Sequence, residues 1–353
     1  MTSRPVTWGI AVLAALVQLA PLHDAARRLP SPPRRSVAAQ TLGNPLYLPA
    51  LANDALIGDL RAQSGVRLTD RPGDCWEPHL SPSGSLLVYL ARPSTESVEL
   101  RLLEIDAQSS EPDQPVPPHA RNDRAVDVGA RFQDLDLPTF SSDGRYLVFA
   151  GFAEEQWDVF RLPIEDGEPA DPSRLENLTA TPDLDEGRPA LSPDGRRLAY
   201  DFHRGADNDD IAVLDLLTRK QTRLTQHPAV DRLPAFAPDG RTLYFRSERT
   251  GQSQIHRVAV DGGVAERVSF YPANDGYATV APDARTVLFE SDRGGLNGIY
   301  LMDSTGRNRR ALLAAADARF TTPRYGADGR TIVFSAAFGD EGLAIHLVTL
   351  PSR

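Results

Sequence analysis

The sequence predicts an all-β fold, a six-bladed β-propeller of four-stranded blades, and three observations support this prediction. A stretch that is clearest at residues 190–200, reading ALSPDGRRLAY, recurs six times along the chain. The last four copies follow one another at intervals of 44 or 45 residues, which is the length of one four-stranded blade. Most copies contain Asp-Gly between two apolar segments, a signature of a β-hairpin turn.

The six copies align on one anchor position. Its residues are Ser81, Ser141, Ser192, Ala237, Ala281 and Gly326. Five copies have proline three residues before the anchor, and five have glycine three residues after it. The fifth copy has Ala284 at the glycine position, where a left-handed backbone would cost about 1 kcal/mol. We therefore expect this turn to be strained or differently shaped.

An aliphatic residue stands six positions after each anchor, and an aromatic residue stands eight positions after it. The aromatic residues are Tyr89, Phe149, Tyr200, Phe245, Phe289 and Phe334. Positions two apart share one face of a strand, and the position between them is also mostly apolar. The second strand of every blade is therefore predicted to be buried on both faces, as in blades packed around a ring.

A third and a fourth strand follow in most copies, and the fourth ends in a hydrophobic residue followed by threonine or serine. These pairs are Leu178-Thr179, Leu224-Thr225 and Val268-Ser269. The same spacing places the end of the first blade at Val128. The proline-rich segment 109–118 then becomes an insertion between the third and fourth strands of that blade.

The sixth copy has no fourth strand of its own, and an unassigned segment, Val-Arg-Leu-Thr at 66–69, precedes the first copy. We predict that this segment supplies the outer strand of the last blade. A ring closed by strands from both parts of the chain avoids an unpaired edge and resists opening.

Three segments are predicted ahead of the propeller, which itself covers 66–353. They are a signal peptide or signal anchor at 1–26, a Pro/Arg-rich linker at 27–52 and a short helix at 53–65 with Asn53 as its N-cap.

The first of these segments decides the predicted location of the protein. Its apolar run at 8–20 has the length of a signal-peptide core and is short for a membrane-spanning helix. Pro21 disfavours cleavage at the end of the run, and more arginines follow the run than precede it. We predict a periplasmic or other extracytoplasmic protein, and a cytoplasmic protein with an apolar tail is the alternative.

Composition excludes several classes of function. The net charge of −10 argues against a nucleic-acid-binding protein, because phosphate neutralisation needs an excess of Lys and Arg. Cys75 is the only cysteine, so no intrachain disulfide can form. The histidines have no metal-ligand spacing, and the Asp-Asn-Asp-Asp run at 207–210 is interpreted as a solvated turn rather than a Ca²⁺ site. We predict no cofactor, no metal, a monomer, and membrane contact only through an uncleaved N-terminal segment.

The repeated pattern Pro-x-x-Ser-Pro-Asp-Gly-Arg, followed by Ser-x-Arg-x-Gly, resembles the TolB-type branch of WD40-like propellers. Residues 234–251 and 291–300 carry it well, and the resemblance extends from residue 66 to the end of the chain. It implies a non-enzymatic binding module for a protein or peptide partner, as in the cell envelope. TolB has a mixed α/β domain ahead of its propeller, for which we expect no counterpart here.

The alternative function is a propeller enzyme, because similar repeats occur in the propellers of prolyl peptidases and in some sugar lyases. A sugar lyase or hydrolase would use carboxylates at the mouth of the central channel. A serine peptidase is disfavoured because the sequence contains no Gly-x-Ser-x-Gly motif. No catalytic residue or metal ligand is assigned from the sequence.

The candidate binding residues lie four to seven positions before the anchors, in the loops that lead into the innermost strands at the channel mouth. They are Glu77, Asp136, Glu186, Arg188, Asp231, Arg232, Asp275, Tyr277 and Arg319. These loops differ from blade to blade, so they can build specificity on a fixed scaffold. We expect exposed rim charges that bind a protein loop, a peptide or a sugar; the alternative is hydrated carboxylates that cap strand ends.

Export can be tested directly. Edman sequencing of the protein purified from its native organism is expected to start near Ala26 or later, or the protein is expected in the membrane fraction. A soluble cytoplasmic product that begins at Met1 or Thr2 would contradict this prediction.

Overall fold

The computed structural model describes residues 66–93, 97–106, 119–203 and 208–350. The predicted signal segment, linker and short helix lie outside the described residues. Within these ranges the chain forms β-strands and two short 3₁₀ turns, Pro172–Arg174 and Arg293–Gly295. No helix in the described ranges is long and apolar enough to cross a membrane.

The strands form six antiparallel sheets, the blades of a propeller, and the first strand, β1 (Val66–Arg67), belongs to the last blade. Blade one contains β2 (Asp74–Leu80), β3 (Leu86–Arg92), β4 (Glu99–Ile105) and β5 (Ala120–Ala125). Blade two contains β6 (Asp134–Phe140), β7 (Tyr146–Ala153), β8 (Gln156–Glu165), the short additional β9 (Glu168–Pro169) and β10 (Glu176–Asn177). Blade three contains β11 (Asp185–Leu191), β12 (Arg197–His203), β13 (Asp209–Asp215) and β14 (Gln221–Arg223).

The remaining blades repeat this order. Blade four contains β15 (Asp231–Phe236), β16 (Thr242–Ser247), β17 (Gln254–Ala259) and β18 (Glu266–Arg267). Blade five contains β19 (Asp275–Val280), β20 (Thr286–Ser291), β21 (Asn297–Asp303) and β22 (Arg310–Ala315). Blade six contains β23 (Ala318–Tyr325), β24 (Thr331–Phe338), β25 (Ala344–Thr349) and β1.

The six innermost strands close into a ring. Strand β2 contacts β6, and the contacts continue through β11, β15, β19 and β23 back to β2. All six aromatic residues at the repeated position are buried, with exposed fractions of 1% or less. The hydrophobic clusters lie between blades, and each contains side chains of two neighbouring blades. The predicted six-bladed propeller is confirmed.

The Asp-Gly turns have the predicted left-handed backbone, with φ of 74° at Gly84 and 68° at Gly195. Ala284 takes the same conformation, with φ of 59°. Its N–H donates to the Ala281 carbonyl at 2.8 Å, as the Gly84 N–H does to Ser81 at 2.9 Å. The fifth turn is therefore strained and keeps the common shape.

The ring closes as predicted, because β1 pairs with β25 through Val66 opposite Leu347 and Arg67 opposite His346. The Leu68 N–H then donates to the Ile345 carbonyl at 2.8 Å.

A threonine hydroxyl completes this closing strand. The Thr69 hydroxyl accepts the N–H of Ile345 at 3.0 Å. Thr225 accepts the N–H of Ile211 in the same way at 2.9 Å in blade three. The recurring Leu-Thr pair thus has one structural role, and residues 66–69 fill it for blade six.

The end of blade one differs from the prediction. Val126, and not Val128, donates its N–H to the third strand, at 2.8 Å from the Leu100 carbonyl. Counting back from the next anchor misplaced this end because the loop into the second blade is longer than in later blades. The proline-rich segment does fall between the third and fourth strands, β4 and β5, although residues 107–118 lie outside the described ranges.

Truncation tests how the ring is closed. Deleting residues 1–43 is expected to leave the melting temperature nearly unchanged, since these residues have no place in a blade. Deleting residues 1–70 removes β1 and Thr69, which exposes an edge of β25, and is expected to cost several kcal/mol of unfolding free energy. Equal melting temperatures of the two truncated proteins in thermal unfolding would contradict this closure.

Candidate functional site: the channel and its mouth face

The channel is shaped by one β-bulge in each innermost strand. The first residues of these bulges have positive φ, and they are Glu77 (57°), Leu137 (42°), Arg188 (49°), Leu233 (58°), Tyr277 (45°) and Thr322 (53°). The pairing register shifts at the same point in each of these blades. Proline follows the strained residue in five blades, where the interrupted ladder needs no N–H from it. Each left-handed non-glycine residue costs about 1 kcal/mol or more, so its surroundings must hold it in place.

Carboxylates hold three of these bulges, and each one reaches from the preceding blade. Glu77 accepts the Leu137 N–H at 2.7 Å, and Asp201 accepts the Leu233 N–H at 2.9 Å. In the same way Glu290 of blade five accepts the N–H of Thr322 in blade six. A carboxyl oxygen thus accepts each N–H that the interrupted ladder leaves without a partner. These carboxylates therefore link blades one to two, three to four and five to six.

Charged side chains form a continuous line across part of the channel. Arg188 donates to Asp201 at 3.1 Å, and its Nε lies 3.9 Å from the Asp136 carboxylate. Burial, and then the charge of Asp136, raises the pKa of Glu77 well above its usual range. Glu77 is only 4% exposed. Burial and the charge of Asp136 thus both favour the protonated form of Glu77.

Two predicted acids belong to a structural motif within the blades. Asp275 is completely buried and accepts a hydrogen bond from Arg293 at 2.8 Å. Arg293 also donates to the Ser291 hydroxyl at 2.9 Å and lies over the Phe289 ring, 4.9 Å from its centroid. Asp231 is held in the same way in blade four. The Ser-x-Arg part of the repeat therefore anchors the start of the innermost strand.

The remaining predicted residues occupy different environments. Glu186 is completely buried and accepts a backbone N–H at 3.5 Å, and Arg232 forms an ion pair with Asp209. Tyr277 is partly buried beside the channel, and Arg319 is exposed at the start of β23. Arg319 is the one exposed member of the predicted set.

The expectation of exposed rim charges, and the alternative of hydrated carboxylates, is therefore wrong for the five acids. Glu77 accepts an N–H from a bulge, Asp231 and Asp275 accept from arginines, and Glu186 accepts the backbone N–H of Thr181. Charge reversal at Glu77 would accordingly disturb folding as well as any binding.

The interpretation of 207–210 as a solvated turn is also wrong for its second half. Asp209 and Asp210 lie in β13 with exposed fractions of 3% and 2%, while Asp207 lies outside the described residues. Asp210 forms an ion pair with Arg223. Asp209 contacts the half-exposed His203, with 2.6 Å between the His203 Nδ1 and a carboxylate oxygen.

Sequence reasoning missed an aromatic pair on the face where the innermost strands begin, which we call the mouth face. Phe270 and Tyr271 lie in the loop between β18 and β19 and are 59% and 42% exposed. Arg267 lies 5.0 Å from the Phe270 ring centroid, and Arg293 lies 5.2 Å from that of Tyr271. The sequence contained a signal for this pair, namely two aromatic residues directly after Ser269. The equivalent threonines of other blades, Thr179 and Thr225, are followed by small or polar residues.

Also missed were charges on the second strands. The position after the repeated aromatic residue reads Leu90, Ala150, Asp201, Arg246, Glu290 and Ser335. A charged residue inside a strand otherwise buried on both faces marks a position that reaches the channel. Asp201 and Glu290 use this position to reach the bulges of the next blade.

Comparison with known proteins supports the same fold family. A family model of the TolB beta propeller domain matches residues 131–275. An uncharacterized protein of Agrobacterium fabrum is 44% identical over 78 residues, which are 22% of this chain and 26% of that protein. The Tol-Pal system protein TolB of Francisella tularensis is 25% identical over 128 residues, 36% of this chain and 28% of TolB. The matches thus span about a quarter of the length of these curated relatives, and the resemblance to TolB-type propellers is confirmed.

Solved structures share the fold at low sequence identity. A TolB candidate from Agrobacterium tumefaciens superposes with a TM-score of 0.56 at 24% identity, covering 79% of this chain and 91% of its own. A gluconolactonase from Xanthomonas campestris gives 0.55 at 14% identity, covering 81% and 89%. An oligogalacturonate lyase from Vibrio parahaemolyticus gives 0.50 at 11% identity, covering 81% and 93%. The fold is therefore shared by proteins of several functions.

The half-buried Glu290 gives the channel a measurable pH dependence. Burial raises its pKa to about 7, against the ordinary value of 4.5, so the folded protein holds this proton more tightly than the unfolded chain does. The contribution of Glu290 to stability is therefore lost as pH rises from about 4.5 to about 7. In urea unfolding, the free-energy difference between wild type and Glu290→Gln should fall by on the order of 2 to 3 kcal/mol over this range.

The exposed Glu154 provides the control for this measurement. Glu154→Gln should keep the pH dependence of the wild type. An unchanged dependence in Glu290→Gln would show that folding does not shift the pKa of Glu290.

Proposed function

We propose that the protein is a non-enzymatic, extracytoplasmic binding module that engages a protein or peptide partner at its mouth face. The observation that carries this proposal is the exposed pair Phe270 and Tyr271 with arginines beside both rings. Aromatic residues and arginine are enriched at protein interfaces and dominate their binding energy. Large exposed aromatic side chains cost solubility without such a use.

The channel supports this proposal as a rigid platform. Its buried acids Glu77, Asp231 and Asp275 are bonded to a bulge or to arginines, so they fix the loops of the mouth face rather than reorganise on binding. Of the predicted residues, Arg319 is exposed, and Arg232 and Tyr277 are partly exposed. We propose that these three supply polar contacts around the aromatic pair, and that a partner of mixed charge suits this face.

The location is part of the proposal. The apolar run at 8–20 is typical of an export signal, and a relative with a similar propeller is a Tol-Pal system protein. We propose a partner in the cell envelope on these grounds.

Two exposed aliphatic residues offer a matched control for the aromatic pair. Leu217 and Val264 are 88% and 89% exposed. They lie in loops between third and fourth strands, which antiparallel order places on the opposite face of the propeller.

The proposal is tested by tagging the full chain in its native organism, cross-linking, and identifying bound proteins by mass spectrometry. The double variant Phe270→Ser/Tyr271→Ser should lose a discrete partner that Leu217→Ser/Val264→Ser retains, with similar melting temperatures. Because aromatic anchors contribute about 2 kcal/mol or more each, affinity for that partner should fall at least about thirtyfold. A partner that the aromatic variant retains and the aliphatic variant loses would show that the partner binds the opposite face, which would contradict the proposal.

A propeller enzyme remains the second candidate, and one observation favours it. His203 is 36% exposed in its side chain and its Nδ1 lies 2.6 Å from the buried Asp209. A carboxylate that orients a histidine is a common arrangement in general acid–base catalysis. Within the described residues no group of three or more His, Cys, Asp or Glu could hold a metal ion. A sugar lyase or hydrolase activity that is lost in His203→Gln but kept in Phe270→Ser/Tyr271→Ser would favour this candidate.

A further inference from the structure

A second candidate site lies at the other end of the channel, on the face that carries the Asp-Gly turns. We call this the turn face. A cavity of about 380 Å³ opens there and is lined by residues of all six innermost strands and the turns that follow them. Its volume lies within the usual range for small-ligand pockets. Most of its lining is apolar, including Phe140, Phe236 and Val280.

One positive charge lines this cavity. Arg324, on β23, lines this cavity and also a second, much smaller pocket of about 10 Å³ among the channel bulges. Among the described residues, the Arg324 guanidinium forms no ion pair with a carboxylate within 4 Å and donates no side-chain hydrogen bond. An arginine side chain carries five N–H donors and keeps its charge at all ordinary pH values.

The groups around Arg324 do not neutralise it. The acidic group that acts on it most strongly is Glu77, followed by the Tyr277 hydroxyl. Burial and the charge of Asp136 raise the pKa of Glu77 well above its usual range, and burial also raises the pKa of Tyr277. Both shifts favour the neutral forms of these groups, and no carboxylate of the described residues lies at ion-pair distance from the guanidinium.

His79 supplies a second polar group of the cavity. Its Nδ1 accepts the Phe140 N–H at 3.2 Å, so the ring proton is on Nε2, which remains a donor. Burial, and then the charge of Arg324, lowers the pKa of His79 to about 3. His79 is therefore a neutral donor beside a charged one.

From this geometry we propose that the turn-face cavity binds an organic carboxylate with an apolar body, Arg324 being its counter-ion and His79 a neutral hydrogen-bond donor. A guanidinium matches a carboxylate with two parallel hydrogen bonds. A single positive charge suits a monoanion better than a phosphate, and the apolar walls favour a hydrophobic body over a bare ion. The carboxylate could come from a free small molecule or from the C-terminus of a peptide.

The test uses thermal unfolding and calorimetry of the full chain with defined probes. These probes are 3-phenylpropanoate, the matched neutral 3-phenylpropanol, acetate, inorganic phosphate, and an Ala-Ala-Phe peptide with a free or amidated C-terminus. We expect 3-phenylpropanoate to raise the melting temperature, and the neutral alcohol, acetate and phosphate to have much smaller effects. The free peptide acting like 3-phenylpropanoate would identify a peptide source, and no effect of the peptide would identify a small molecule.

Variants separate binding from folding. In Arg324→Met the dissociation constant for 3-phenylpropanoate should rise about tenfold or more. Without ligand the melting temperature should stay equal or increase, because an unpaired charge has been removed from a poorly solvated position. Arg324→Lys keeps the charge and should bind with intermediate affinity. Arg241→Met changes an exposed arginine on the same face, outside the cavity lining, and should bind like the wild type.

Three results would overturn the proposal: no effect of any carboxylate, equal effects of phosphate and 3-phenylpropanoate, or unchanged binding in Arg324→Met. If Arg324→Met does not fold, Arg324→Lys still tests the role of the guanidinium group, and 3-phenylpropanol still tests the role of the ligand's carboxylate. Because this site uses the turn face, the Phe270→Ser/Tyr271→Ser variant should bind 3-phenylpropanoate normally, so the failure of one proposal leaves the other testable.

Discussion

The polar chemistry of this propeller depends on one backbone constraint, the bulge in each innermost strand. A bulge interrupts the hydrogen-bonded ladder and leaves an N–H without its normal partner. In a narrow ring that N–H is shielded from water, and at three of the six bulges a carboxylate of the preceding blade accepts it. Glu77, Asp201 and Glu290 do so at alternate blade junctions.

This constraint changes the meaning of charged residues near the channel. A carboxylate before an innermost strand looks like a ligand-binding group when it is read from the sequence, because loops of variable sequence carry function. In the structure Asp231 and Asp275 complete motifs with arginine, serine and an aromatic ring instead. The residues at these positions therefore vary among blades partly because each blade fixes the start of its innermost strand with different hydrogen-bond partners, and not only because of a ligand.

Much of the fold could be predicted from the sequence because its signals are local and repeated six times. Turn chemistry, strand periodicity and the Leu-Thr strand end each depend on a few adjacent residues, so even the split last blade was predictable. The end at Val126 was not, since an insertion and a longer loop removed the fixed spacing. The roles of Asp209, Arg324 and the channel acids were unpredictable for another reason: they depend on contacts between blades, which repeat spacing does not encode.

The two faces of the ring differ because the channel distributes its charges unevenly. Toward the mouth face, Arg188 and Arg232 lie close to ionisable acids, and their charges are matched. Toward the turn face, the acid that acts most strongly on Arg324 is Glu77, which bonds to the Leu137 N–H and whose pKa is raised by burial and by the charge of Asp136. Glu77 is therefore engaged with the bulge of blade two rather than paired with Arg324. Among the described residues, the strain that shapes the channel at one end thus accompanies an arginine without an ion-pair partner at the other, which is the position where the proposed carboxylate ligand would bind.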